Sequence, residues 1–92
     1  MKSDVYIIGA SGFGREVESW ISQSHGFNES YSIKGYIDVD PLALDGYPSD
    51  YSIVGDDDYP FKSSDFAILA IADPHKKQDI VNRLKGKVKF LS

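Results

Sequence analysis

The sequence predicts an α/β domain of three layers, with a parallel β-sheet between helices, and three observations predict it. Val5-Tyr6-Ile7-Ile8 and Phe66-Ala67-Ile68-Leu69-Ala70-Ile71-Ala72 are continuous apolar runs without the alternation of a half-wet strand, so both read as strands buried on two faces. A helical pattern follows each run. Strand and helix signals therefore alternate along the chain, which implies parallel strands joined by right-handed crossovers. Ninety-two residues accommodate one domain over 1–92 and not two.

The elements follow in order. After the first strand comes the turn-rich stretch Gly9-Ala10-Ser11-Gly12-Phe13-Gly14. Helical period over Arg15 to Ser24 places Phe13, Val17, Trp20, Ile21 and Ser24 on one side, and His25-Gly26 reads as the stop. Residues 27–31 read as a polar connection. A second strand is expected over Ser32 to Ile37, ended by Asp38-Val39-Asp40-Pro41, where proline lacks a donor and restrains its predecessor. Leu42 to Asp50 reads as an excursion over the sheet edge, and Ser52-Ile53-Val54-Gly55 as a short extra strand.

Asp56-Asp57-Asp58-Tyr59-Pro60 reads as a solvated turn or the start of a short helix, and Phe66 to Ala72 as the central buried strand. Asp73-Pro74 then opens a helix through Leu84, aspartate being a good N-cap and proline suiting the first helical position. Ile80, Val81 and Leu84 mark its buried stripe and Gly86 its end. Val88, Phe90 and Leu91 form a last strand. The chain stops there without a polar tail, which reads as a cut at a domain boundary.

Composition removes several functions. Five Phe, six Tyr and one Trp within an apolar fraction of 41% suffice for one compact core and argue against disorder. A net charge of −4 without a basic stripe argues against nucleic acid. It does not argue against phosphates, which backbone N–H groups bind without formal charge. The absence of cysteine excludes disulfides, thiolate zinc sites and a Cys nucleophile. His25 and His75 are too few for a histidine metal site. The chain runs almost directly into a strand, leaving no room for a signal peptide, and no apolar run approaches the ~20 residues of a membrane span. A cytoplasmic protein is the expectation.

The glycine stretch is the one local pattern with chemistry in it. Its spacing is G-x-x-G-x-G, against the dinucleotide G-x-G-x-x-G. Glycines permit positive φ and close approach of a ligand to the backbone. The following helix offers unpaired N–H groups and roughly half a positive charge. Together Gly9, Ala10, Ser11, Gly12, Phe13 and Gly14 form a candidate cradle for a diphosphate; the alternative is a tight strand-to-helix turn and nothing more. Location in the first βα turn of a parallel sheet, where such ligands bind, raises the ligand reading to a par with the plain turn.

Arg15 either contacts that phosphate or pairs with Glu16 or Glu18. Asp38 and Asp40 end the second strand, where dinucleotide folds hold ribose hydroxyls with an acidic residue; the alternative is a turn cap before Pro41. Ala72 and Asp73 follow the third main strand on the same edge, with Asp73 most simply an N-cap. His75 reads as a surface residue, and the acidic run 56–58 as a solvated turn and not a metal site.

Four ordered stretches carry a family resemblance. Tyr6-Ile7-Ile8-Gly9-Ala10-Ser11-Gly12-Phe13-Gly14-Arg15-Glu16-Val17, Gly35-Tyr36-Ile37-Asp38-Val39-Asp40-Pro41, Gly46-Tyr47-Pro48 with Ile53-Val54-Gly55, and Phe66 through Pro74 together resemble the sialic acid O-acetyltransferase (NeuD) and PglD-type sugar acyltransferases. The resemblance spans essentially the whole chain. It implies a Rossmann-like domain that binds a UDP-sugar or related nucleotide sugar. It implies, too, a following left-handed β-helix of hexapeptide repeats that trimerises, binds acetyl-CoA and carries the catalytic histidine.

None of that second half is in these 92 residues. The chain by itself is therefore expected to be monomeric or weakly dimeric, to bind no cofactor and to have no acetyltransferase activity. Phe13 stands where many relatives have histidine, and Ala72 where glycine is frequent. Two other functions remain beside this one. An NAD(P)-binding piece of an oxidoreductase is opposed by the glycine spacing and by the lack of an obvious Lys, Tyr or His proton donor. A structural domain with a decayed ligand site is left open by Phe13 and Ala72.

Overall fold

The computed structural model describes residues 2–10, 12–40, 51–56 and 58–91, and of residues 12 and 13 the backbone alone. Five strands, β1 (Ser3–Ile8), β2 (Tyr31–Ile37), β3 (Ile53–Gly55), β4 (Phe66–Leu69) and β5 (Lys89–Leu91), form one sheet in the order β3-β2-β1-β4-β5, every pair parallel. Three helices accompany it: α1 (Gly12–Ser22), α2 (His25–Ser30) and α3 (Pro74–Leu84). The three-layer, parallel α/β architecture expected from the apolar runs is the architecture found.

Strand β1 is the middle of the sheet, and its alternation divides the core. Ile7 points to the face covered by Val17 and Ile21 of α1, with Tyr36 and Ala70 beside it. Tyr6 and Ile8 point to the opposite face, where Ile80 and Leu84 of α3 pack. A strand buried on both faces needs an apolar residue at every position, which is why Val5 through Ile8 show no polar alternation.

The chain passes from β3 to β4 without a helix among the described residues. Aromatic rings do the covering instead. Tyr59 and Phe61 lie with ring centroids 5.0 and 5.3 Å from that of Tyr6, and the Tyr6 and Tyr59 hydroxyls are 3.1 Å apart. Burial, reinforced by the Tyr59 hydroxyl, pushes the Tyr6 phenol above its ordinary range. The Asp65 carboxylate, also buried, accepts the Lys62 N–H at 2.7 Å and closes the turn before β4.

Several expectations are corrected. The first helix begins at Gly12, three residues earlier than its apolar period, so Gly12 and Gly14 belong to the helix and not to a loop. Trp20 is 62% exposed. The inward positions are Gly14 and Val17, both buried, and the half-buried Ile21, and Trp20 stands about 100° around the helix from Ile21. His25-Gly26 does not stop the helix; Ser22 ends it, and His25 starts α2.

Ser24 caps that second helix by accepting the Phe27 N–H at 3.3 Å, and residues 27–30, read as a connection, are helical. The strand expected over Phe66 to Ala72 ends at Leu69, and the central position belongs to β1. The excursion expected from Leu42 to Asp50 lies outside the described residues.

Candidate functional site

In a parallel sheet the order 3-2-1-4-5 places a switch point between β1 and β4, whose following helices cover opposite faces, and ligands bind outside the strand ends there. A cleft of about 430 Å³ opens at that edge, within the range of small-molecule sites. Ile8 and Gly9 at the end of β1 form its floor. Ile37, Asp38, Val39 and Asp40 form the wall on the β2 side. Ile71 and the α3 residues Lys76, Ile80 and Arg83 form the wall opposite. The apolar surface exceeds the polar, while one rim carries carboxylates and the other two cations, with Asp79 between them.

The glycine turn is built by close approach. Gly9 has φ +104°, and a Cβ there would come within 2.7 Å of the Ala70 carbonyl oxygen. Gly14 lies directly on that turn, where a Cβ would collide with the Gly9 carbonyl and come within 3.2 Å of the Tyr36 ring. The third glycine thus lets α1 sit against the end of β1, the packing role such a glycine has in dinucleotide folds. Helical geometry leaves the N–H groups of Gly12, Phe13 and Gly14 without acceptors inside α1.

Two amides offered by sequence to a diphosphate are engaged within the protein. The Gly9 N–H donates to the Ile37 carbonyl at 2.8 Å, continuing the β1–β2 ladder. The Ala10 N–H donates to Asp38 Oδ2 at 2.8 Å. Gly9 and Ala10 therefore contribute shape to the edge and not donors. Ser11 and the Phe13 side chain lie outside the described residues.

Asp38 also accepts the Asp40 N–H on Oδ1 at 2.9 Å, the turn-capping role that was its alternative reading. Tyr36, fully buried on the same strand, directs its hydroxyl to the Glu18 carboxylate (2.7 Å), with the Gly14 carbonyl at 3.2 Å.

Of the sequence candidates, Gly9, Asp38 and Asp40 line the cleft. Ala10 and Gly14 are buried behind it. Ala72 and Asp73 are exposed and outside its lining; Asp73 caps α3, accepting the His75 N–H at 2.9 Å and the Lys76 N–H at 3.4 Å. Arg15 is half-buried in α1, and His75 is exposed.

Sequence reasoning missed Val39, Ile71, Lys76, Asp79 and Arg83. A signal existed for the last three: they share the 3–4 residue spacing of Ile80 and Leu84, so the stripe that packs α3 on the sheet also carries its charges to the strand ends. Among the described residues no His, Asp and Glu cluster could hold a metal ion, and no helix is long and apolar enough to cross a membrane. In the acidic run, Asp56 caps its own turn by accepting the Asp58 N–H at 2.9 Å; Asp57 lies outside the described residues.

No curated protein matches the chain. A family model described as the PglD N-terminal domain matches residues 4–84. That span runs from β1 to the end of α3 and includes every residue of the cleft, and by it the chain belongs to the PglD N-terminal domain family.

Proposed function

We propose that this domain binds a nucleotide sugar at the carboxyl edge of its sheet, as the substrate domain of a sugar O- or N-acyltransferase. The observation that carries the reading is the cleft at the β1/β4 switch point, floored by a glycine turn, in a chain of the PglD N-terminal domain family. The apolar walls at Ile37, Val39 and Ile71 suit the faces of a nucleobase, and the Asp40 carboxylate suits a hydroxyl or N–H donor. The diphosphate lies toward the first turn of α1, where the helix dipole favours negative charge. Lys76 and Arg83 supply further positive charge on the α3 side.

In this reading the domain orients the substrate and the chemistry belongs elsewhere. Acetyl-CoA, the catalytic base and the trimer interface belong to a hexapeptide-repeat β-helix of the full-length protein. The 92-residue chain then binds without transferring an acetyl group, and is monomeric or weakly dimeric. Calorimetric titration with a UDP-sugar, a CMP-sugar and NAD+ tests this. Saturable heat with a nucleotide sugar and none with NAD+ is expected. Flat heats with both sugars would sink the reading, and binding of NAD+ alone would transfer the site to an oxidoreductase.

A further inference from the structure

The fold rule gives the acidic residue at the end of β2 to the ribose of a ligand, yet both oxygens of the Asp38 carboxylate already hold the protein's own backbone. Oδ2 accepts from Ala10, in the glycine turn, and Oδ1 accepts from Asp40, each within 2.9 Å. The Asp38 N–H donates in turn to the Gly55 carbonyl at 3.0 Å. One residue thus ties the ends of β1, β2 and β3 together at the rim of the cleft. The turn it caps also holds Val39 outward, 68% exposed on the cleft wall, where an apolar side chain gains nothing from water.

We propose that Asp38 is a positioning residue: its carboxylate fixes the glycine turn and the Val39 wall against each other, and does not itself bind the ribose. The proposal rests on the nucleotide reading for its functional half alone. Charge-assisted bonds from backbone N–H to carboxylate are stronger than neutral ones, so a single acid can set the shape of this rim. The arrangement also turns the Ala10 N–H away from any ligand.

Two measurements test it. In the ligand-free protein, Asp38→Ala is expected to speed amide exchange at Ala10 by at least about tenfold, the effect of losing a bond to a charged acceptor, with the Val5 to Ile8 amides little changed. Asp38→Asn, which keeps shape and one acceptor oxygen, is expected to restore protection at Ala10 or at Asp40 but not at both. Unchanged exchange at Ala10 in both variants would overturn the tether.

The second measurement compares uridine diphosphate with its 2′,3′-dideoxy form on wild type and Asp38→Asn. Positioning predicts that Asp38→Asn weakens both ligands by the same factor, so that the penalty for removing the hydroxyls is unchanged within about twofold. A hydroxyl penalty that disappears in Asp38→Asn would make Asp38 a direct ligand and overturn the proposal. A wild-type protein that binds neither ligand would refute the nucleotide reading, and exchange at Ala10 would then decide the tether alone.

Discussion

The two βα turns at the edge of this sheet solve the same problem in opposite ways. The turn from β4 into α3 is self-sufficient. Asp73 caps the helix, Pro74 fills its first position, and the amides of His75 and Lys76 are spent on the cap. The turn from β1 into α1 is held from outside: Asp38, just past the end of β2, takes the Ala10 amide, and the Tyr36 hydroxyl, from β2, reaches the Glu18 carboxylate and the Gly14 carbonyl. A helix that caps itself leaves little at its N-terminus for a ligand. A turn clamped by a neighbouring strand keeps its shape while Gly9 brings backbone to the floor of a cleft.

That difference is most easily broken at Gly14. Gly14→Ala forces a methyl group into the Gly9 carbonyl and the Tyr36 ring, and overpacking of this kind costs about 3 kcal/mol. Gly26→Ala, in α2 with open space around the added methyl, is expected to be neutral or to stabilise by up to about 0.5 kcal/mol through helix propensity. The urea midpoint should fall in Gly14→Ala and hold or rise in Gly26→Ala. Equal shifts would mean that α1 does not rest on the β1 turn.

Tyr36→Phe removes the clamp on the helix side while keeping the ring. Loss of a hydrogen bond to a carboxylate predicts about 1.5 kcal/mol of destabilisation, with weakened nucleotide affinity if the clamp shapes the site. A stability loss without any change in affinity would separate the clamp from the ligand.

The contrast also explains what could be read from the chain before its structure. Asp73-Pro74 announces a helix start because the cap lies next to the amides it satisfies, and the helix from Pro74 to Leu84 follows it. The clamp on the glycine turn gives no such notice, because the turn's partners are 22 to 28 residues away, at Tyr36 and Asp38. Such pairs follow only from the strand order. The same locality explains the misplaced end of the first helix: His25-Gly26 has the composition of a stop, but Ser24 supplies an N-cap one residue earlier and the cap prevails. Of the site, the floor and the acidic rim at Gly9, Asp38 and Asp40 were legible, whereas the wall from α3 required knowing which face of that helix reaches the strand ends.

The self-capped turn gives the complementary test. Asp73→Ala should cost about 1 kcal/mol, as N-cap removal typically does, and should leave nucleotide affinity unchanged, because Asp73 is outside the cleft lining. A fall in affinity larger than the fall in stability would bring the α3 turn into the site and erase the contrast between the two.

The crossover from β3 to β4 supplies a third mode of holding a connection, by aromatic rings beside the Asp56 and Asp65 turn caps, and a smaller effect at neutral pH. Tyr6→Phe keeps the packing against Tyr59 and Phe61 and loses one hydroxyl pair, so the cost should be below about 1 kcal/mol. The effect is larger in alkali. The folded protein holds the Tyr6 proton more tightly than the unfolded chain does, chiefly because burial disfavours the phenolate. The unfolded chain therefore loses that proton first as pH rises past the ordinary phenol value of about 10. Stability from this group is complete below that pH and declines above it, toward the raised value in the folded state. In urea titrations across this range, wild type should lose stability more steeply than Tyr6→Phe. Parallel slopes would show that the ring cluster admits water to the Tyr6 hydroxyl, and the aromatic crossover would then be a looser seal than its ring distances imply.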